Sequence, residues 1–287
     1  MKFISFTRLG KSGFGAVVDD GVIDLTNRLG PALDSLKAFI AADILDAAIS
    51  FIHGRRADFA LSDITLLPVV PDAGKILCVG LNYETHRAET KRPDNQYPTM
   101  FTRYADSQIA HGQAMVLPTV SDKLDFEGEM AVIIGRGGRF ITEEHALSHV
   151  AGYACYNDGT IRDWQRHTHQ FGPGKTFPGT GGFGPYMVTP DEVGDYTALP
   201  IETRLNGEIM QSATLSDLIF PVERLIAYIS TFTPLSAGDV ILTGTPGGVG
   251  DRRDPPLYMK AGDVIEVEIG LLGRLTNPIV AEIAAGF

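Results

Sequence analysis

Cysteine is scarce in this 287-residue sequence: Cys78 and Cys155 are the only two, each inside an apolar segment. That count excludes a disulfide-stapled secreted scaffold, and both thiols are expected to be buried. Basic charge is also short, with 24 Lys and Arg against 35 Asp and Glu and a formal net charge of -11. Nucleic acid and anionic membranes are therefore disfavoured as partners, because both require a basic surface. No apolar run approaches the roughly 20 residues of a membrane-spanning helix. The apolar part of Met1 to Arg8 is too short for a signal peptide, so a cytoplasmic protein is expected. Internal repeats and low-complexity tracts are missing as well, which disfavours solenoids and propellers. An anionic small molecule stays compatible with the charge, since a bound divalent cation inverts the local sign.

What is present suits an ordinary globular chain: 44% hydrophobic and 21% charged residues, with enough length for a small domain and a larger one. Residues 1–70 read as strand, hairpin, helix, strand, with a turn at Asp20-Gly21 and helical apolar spacing from Leu36 to Ile52. Pro68 and Pro71-Asp72-Ala73-Gly74 break that pattern, and a domain boundary is placed there. Residues 71–287 are dominated by short strands and glycine-containing turns, including an Asn206-Gly207 hairpin turn and strands at Val240 to Thr243 and Val264 to Ile269. Helical spacing recurs only near Thr142 to His149, Thr160 to His169 and Val222 to Thr231. The fold class expected is α+β, mainly β.

The segment Asp125-Phe126-Glu127-Gly128-Glu129 runs into the apolar Met130-Ala131-Val132-Ile133-Ile134. As one strand, its period of two puts Asp125, Glu127 and Glu129 on a single face. Carboxylates so placed repel unless they are solvated, protonated or neutralised by a cation. No Lys or Arg is interleaved, and hard oxygen ligands select magnesium, manganese or calcium over zinc or copper. The competing reading is a wet outer face.

Asn157-Asp158-Gly159-Thr160 reads as a turn into a helix, where Asp158 is first a turn or capping residue and only secondarily a ligand. A helix starting there would align Asp158, Arg162, Gln165 and His169 on one face, offering an acid, a forked cation and an amide. His167 and His169 lack zinc-type spacing and partners. His86 and Glu89 stand three apart on an expected short helix, which by spacing reads first as a surface helix with an incidental pair and otherwise as a carboxylate orienting an imidazole as a general base. The polar run Thr90 to Gln96 is a candidate closing loop. Gly172-Pro173-Gly174-Lys175-Thr176 fails as a phosphate loop because His169 stands where a glycine is required, although Lys175 remains a candidate for stabilising an enolate oxygen. The turn Gly244 to Gly250 allows close backbone approach to a ligand or is simply a tight turn.

Together these segments resemble the fumarylacetoacetate hydrolase family from Lys75 to Ile269. The matching series is Gly80-Leu81-Asn82-Tyr83 with His86 and Glu89, then Asp125 to Glu129, Asn157 to Gln165, Lys175, Asn206-Gly207-Glu208 and Gly238 to Pro246. Departures occur at Gly159-Thr160-Ile161 and at Lys175 to Phe183, and they bear on substrate choice. The resemblance implies a mixed β-roll catalytic domain with a small N-terminal α/β domain, usually a homodimer. It implies Mg2+ or Mn2+, or Ca2+ in a crystal, on Glu127, Glu129 and Asp158, with Asp125 as a neighbour. It assigns catalysis to His86, Glu89 and Lys175 and substrate contacts to Tyr83, Arg162, Gln165 and Thr245. The activity implied is hydrolysis of the carbon-carbon bond of a 2,4-dioxo acid such as an acylpyruvate. Decarboxylation, tautomerisation and hydration use the same metal-enolate chemistry, and a non-catalytic dicarboxylate-binding protein is the remote alternative.

Overall fold

The computed structural model describes residues 1–90 and 96–283; residues 91–95 of the candidate closing loop lie outside them. The Gly128–Ile134 strand is buried along its whole length. A strand covered on both faces carries a continuous apolar run instead of an alternating one, which is what Met130 to Ile134 supply. Its side chains divide by parity. Met130, Val132 and Ile134 enter one core with Leu225, Ile226 and Ile229 of the Val222–Phe232 helix. Ala131 and Ile133 enter another with Phe3, Phe14 and Phe39. Each fully buried large side chain stabilises the fold by roughly 1.5–3 kcal/mol.

This strand sits inside a 12-stranded mixed sheet. From one edge the order is Phe59–Ala60, Gly21–Asp24, Lys11–Val18, Lys2–Arg8, Gly181–Val188, Val150–Asp158, Gly128–Ile134, Val240–Leu242, Ile76–Gly80 and Thr99–Arg103. The pair Val240–Leu242 with Ile76–Gly80 is parallel, whereas the other pairs along this path are antiparallel. A second sheet has five strands, Glu208–Thr214, Pro200–Leu205, Val264–Ile269, Arg274–Ala281 and Met115–Leu117. The architecture is α+β and dominated by sheet, as expected. Asn206 and Gly207 form the two-residue hairpin turn between Pro200–Leu205 and Glu208–Thr214 with φ of 53° and 83°, the left-handed pair that such a turn requires.

Several local expectations are corrected. The helix over Leu36 to Ile52 is two helices, Leu36–Ala42 and Leu45–Ile52, parted at Asp43 with φ 51°. The hairpin expected to turn at Asp20-Gly21 turns on Asp19 and Asp20, since Gly21 already pairs with Val18. The helix over Thr160 to His169 shrinks to Arg162–Gln165, preceded by the strand Thr160–Ile161. The sheet also runs across residue 70: Phe3 of Lys2–Arg8 pairs with Met187 of Gly181–Val188.

Candidate active site and metal centre

Antiparallel register assembles the acids. Gly128 pairs with Asn157 and Glu129 with Tyr156, so the start of one strand lies against the end of the other. One step further out, the Asp158 N–H donates to the Glu127 carbonyl at 2.8 Å. Asp158 is thus the last residue of the Val150–Asp158 strand, neither a turn residue nor a helix cap. Carboxylate oxygens of Glu127, Glu129 and Asp158 all lie within 4.8 Å of one another, and all three residues are buried.

Asp125 does not share their face. The strand breaks after Leu124–Asp125, and the Asp125 carboxylate turns to accept from Gly250 N–H at 2.8 Å, Asp251 N–H at 3.0 Å and Arg162 Nε at 2.7 Å. Arg162 is consequently committed. Its Nη1 donates to Gln165 Oε1 at 3.1 Å, while Nη2 forms an ion pair with Glu127 Oε1 at 2.7 Å without hydrogen-bond alignment. Arg162 and Gln165 do come together, but through the end of a strand and one helical turn instead of a long helix face. His169 is exposed and takes no part.

Lys175 closes the centre. Its Nζ stands 2.5 Å from both Glu127 Oε2 and Asp158 Oδ2, so it bridges two candidate ligands. Gly174 permits this position, because a Cβ there would lie 2.4 Å from the Gln165 nitrogen and 2.6 Å from the Ile161 carbonyl. A residue that gave no signal in the sequence, Arg103, holds the other side. It is buried and donates to Asp158 Oδ1 at 2.6 Å, Gly159 O at 2.9 Å and Thr180 Oγ1 at 2.8 Å. Its one available cue was a basic residue ending an otherwise strand-like run. Asn157 and Gln211, also unmarked, accept from the Glu127 and Gly128 N–H groups at 3.0 Å each.

These partners act unequally on the acids. Burial would raise the Glu127 carboxyl, but Lys175, then Arg162 and His86, hold it below the usual carboxylate range. Glu129 is raised well above its ordinary value by burial, then by Asp158 and Glu127. Its Oε2 accepts from Gly244 N–H at 2.8 Å, and no Lys, Arg or His forms an ion pair with it among the described residues. A buried carboxylate lacking a cation, beside two others with free lone-pair capacity, fits a hard divalent ion.

Glu127, Glu129, Arg162, Gln165 and Lys175 line a cavity of about 90 Å³ together with His86, Thr245, Phe101, Phe171 and the arginines Arg166 and Arg252. His86 is buried on the Glu84–Thr90 helix and its Nδ1 meets Glu89 Oε1 at 2.6 Å. Glu89 is fixed in turn by Gly248 N–H at 2.9 Å. Donation from Nδ1 leaves Nε2 as the basic nitrogen. Thr245 Oγ1 accepts from Gln211 at 2.7 Å. Tyr83 is placed elsewhere: it does not line the cavity, its ring belongs to the large apolar core, and its backbone bridges to Leu218. The family resemblance made it a substrate contact, but the residue before a helix points where the core requires.

The family model for the C-terminal part of fumarylacetoacetate hydrolase matches residues 75–280. The chain belongs to the fumarylacetoacetate hydrolase family. Among its curated family relatives, the mitochondrial oxaloacetate tautomerase fahd2 of Xenopus laevis is 38% identical over 273 residues, 93% of this chain and 85% of that protein. The human mitochondrial oxaloacetate tautomerase FAHD2A is 42% identical over 221 residues, 76% of this chain and 70% of that protein. Of solved family structures, fumarylacetoacetate hydrolase from Exiguobacterium antarcticum superposes with a TM-score of 0.82 at 34% identity, over 98% of this chain and 100% of that one. Maleylpyruvate hydrolase from Sphingobium sp. SYK-6, in complex with manganese(II) and pyruvate, superposes with a TM-score of 0.83 at 27% identity, over 99% and 100%. The acidic triad is therefore a candidate divalent-metal site in a family of enzymes, with no helix among the described residues long and apolar enough to cross a membrane.

Proposed function

We propose that the protein interconverts the enol and keto forms of a small 2-oxo dicarboxylate of the oxaloacetate type, using Mg2+ or Mn2+ on Glu127, Glu129 and Asp158. The observation that carries this reading is the carboxylate-backed imidazole of His86 lining the same cavity, about 90 Å³, as Glu127 and Glu129 of the acidic triad. Relatives 38% and 42% identical bear the name oxaloacetate tautomerase, and a manganese ion accompanies pyruvate in one structural relative. The bound cation supplies Lewis-acid stabilisation of negative charge developing on the 2-oxo oxygen.

The chain's own residues move the proton. His86 Nε2 takes a proton from C3 of the keto form; the C–H pair becomes the C2–C3 double bond, and the carbonyl pair passes to oxygen, which is then protonated. Glu89 fixes the imidazole tautomer and stabilises the imidazolium. Lys175 places positive charge beside the developing oxyanion, and Gln165, Thr245 and Arg162 shape the cavity around the substrate.

A second reading keeps the same residues but has His86 deprotonate water for attack on the distal carbonyl of a 2,4-dioxo acid, releasing a pyruvate-type product and a carboxylic acid. The imidazole and carboxylate pair favours it equally, and it accords with the maleylpyruvate hydrolase neighbour. Following loss of the oxaloacetate enol absorbance, and pyruvate release from acylpyruvates, separates the two. In either case His86→Ala is expected to lower turnover by about 10²- to 10⁴-fold while Mn2+ affinity, read by calorimetry, is retained. Loss of metal binding in that variant would place His86 in the metal site instead. The reading includes a cytoplasmic homodimer, checked by fractionation and sedimentation, whereas the tautomerase relatives named above are mitochondrial.

A further inference from the structure

The cavity wall carries a second charged group. Arg166, Asp251 and Arg252 line it along with the buried Glu127, Arg162 and Lys175, which are already matched in pairs. Arg166 Nη2 is paired with Asp251 Oδ2, and the Tyr258 hydroxyl donates to Asp251 Oδ1 at 2.9 Å. Burial would raise the Asp251 carboxyl, but the bonds from Arg166 and Tyr258, with the Arg162 charge behind them, hold it below its ordinary value. Arg252 comes third to the same carboxylate: its Nε lies 3.4 Å from Asp251 Oδ2. No hydrogen bond ties it down among the described residues.

Two guanidinium groups thus share one carboxylate, and the surplus in this group is a positive charge. The geometry is anchored. Asp251 N–H and Gly250 N–H donate to Asp125, which also binds Arg162; the turn that anchors Asp125 therefore carries Arg252, while Arg166 follows the Arg162–Gln165 helix. The Arg166 and Arg252 side chains are 48% and 40% exposed, against 5% for Asp251, so both reach solvent over a covered carboxylate. The other cations on the wall, Arg162 and Lys175, are buried and already paired with Asp125, Glu127 and Asp158. Much of the remaining wall is apolar, from Val79, Leu81, Phe101, Phe171 and Val249.

We propose that Arg252, supported by Arg166, is the distal anion subsite of this cavity and selects dicarboxylates over monocarboxylates by receiving the carboxylate farthest from the metal. This rests on the reading that the 2-oxo acid end of the substrate meets the acidic triad. A planar fork with spare donors suits a carboxylate approached edge-on. Its exposure screens the contact, so the gain is modest and shows in binding more than in turnover.

The test uses the manganese-loaded full chain and two matched pairs of ligands. Oxaloacetate and its distal monomethyl ester are compared as substrates; the non-enolisable difluoro analogue of oxaloacetate and oxalate, which has no distal group, are compared by binding. In Arg252→Gln the preference for oxaloacetate over the ester, as a ratio of kcat/KM, is expected to fall about tenfold through KM. Arg252→Glu should reduce it further and Arg252→Lys should restore part of it. The difluoro analogue should lose affinity relative to oxalate by a similar factor. Equal changes for both members of each pair, or no change, overturn the subsite. If the wild type turns over neither substrate, the tautomerase reading fails, while the affinity ratio still decides the subsite.

Discussion

Glu129 is the residue on which the metal chemistry turns, because it alone of the three acids has no cationic partner among the described residues. Burial first, then Asp158 and Glu127, raise its carboxyl well above the ordinary value, with Lys175 and the Gly244 N–H opposing. A divalent ion binds the carboxylate form, so it must displace any proton held there. Affinity for Mn2+ is therefore expected to rise with pH, with a proton released on binding wherever Glu129 holds one. Calorimetry in buffers of different ionisation enthalpy counts that proton; Glu129→Gln should abolish the release along with tight binding. Arg103 tests the opposite case, a buried cation whose removal strands an acid. Arg103→Met leaves Asp158 with only Lys175 and should cost the metal-free protein about 3–5 kcal/mol in urea denaturation. A change within error would mean that water replaces the guanidinium. The triad itself was half legible. Period two placed Glu127 and Glu129 together, but Asp158 joins them through a strand register that no local pattern encodes, and only the family resemblance supplied it. Arg103 was invisible for a related reason: a single basic residue at a strand end looks the same whether it meets solvent or a buried carboxylate across the sheet.

Among the elements, the glycine-rich turn Gly244 to Gly250 does more than permit close approach. Three of its backbone N–H groups each hold a different carboxylate: Gly244 holds Glu129, Gly248 holds Glu89 and Gly250 holds Asp125. One turn thereby fixes a candidate metal ligand, the carboxylate behind the proposed general base and the support of Arg162. Gly250 has no room for a side chain, since an added Cβ would stand 1.8 Å from Leu257 O and 2.6 Å from Asp125 Oδ1. Gly250→Ala is expected to cost about 1–3 kcal/mol and to weaken substrate binding through Arg162 and Arg252. Gly172→Ala, whose methyl group meets nothing within 4 Å, is the control; equal urea midpoints for the two variants would show that the turn yields without loss. The short helix Arg162–Gln165 illustrates why periodicity failed nearby. The polar residues that suggested a long face, Arg162 and Gln165, are spaced for a single turn, and beyond them Arg166 to Gln170 are exposed and leave the helix. A polar pattern reports a helix only where an apolar face pays for it, and none continues here.

At the scale of the molecule, the first 70 residues complete the main sheet. The boundary expected from the change in pattern at Pro68 and Pro71 is crossed by the pairing of Phe3 with Met187, because a proline-marked connection says nothing about which strand edge the preceding segment will join. The core on that side is built from both parts: Phe3, Phe14, Leu36 and Phe39 pack with Ala131, Ile133, Ala154, Phe183 and Met187. Those last five residues lie on the strands that carry or flank the acidic triad. A fragment of residues 71–287 would therefore present a broad apolar sheet face to water and leave Gly181–Val188 without the Lys2–Arg8 neighbour, a combination that favours aggregation through the open edge. The fragment is expected to bind a hydrophobic dye, to sediment as mixed oligomers and to lose cooperative unfolding, with Mn2+ affinity falling alongside. A monomeric fragment that unfolds cooperatively and still binds Mn2+ would establish the opposite: that the catalytic sheet closes its own core and the N-terminal strands only extend it.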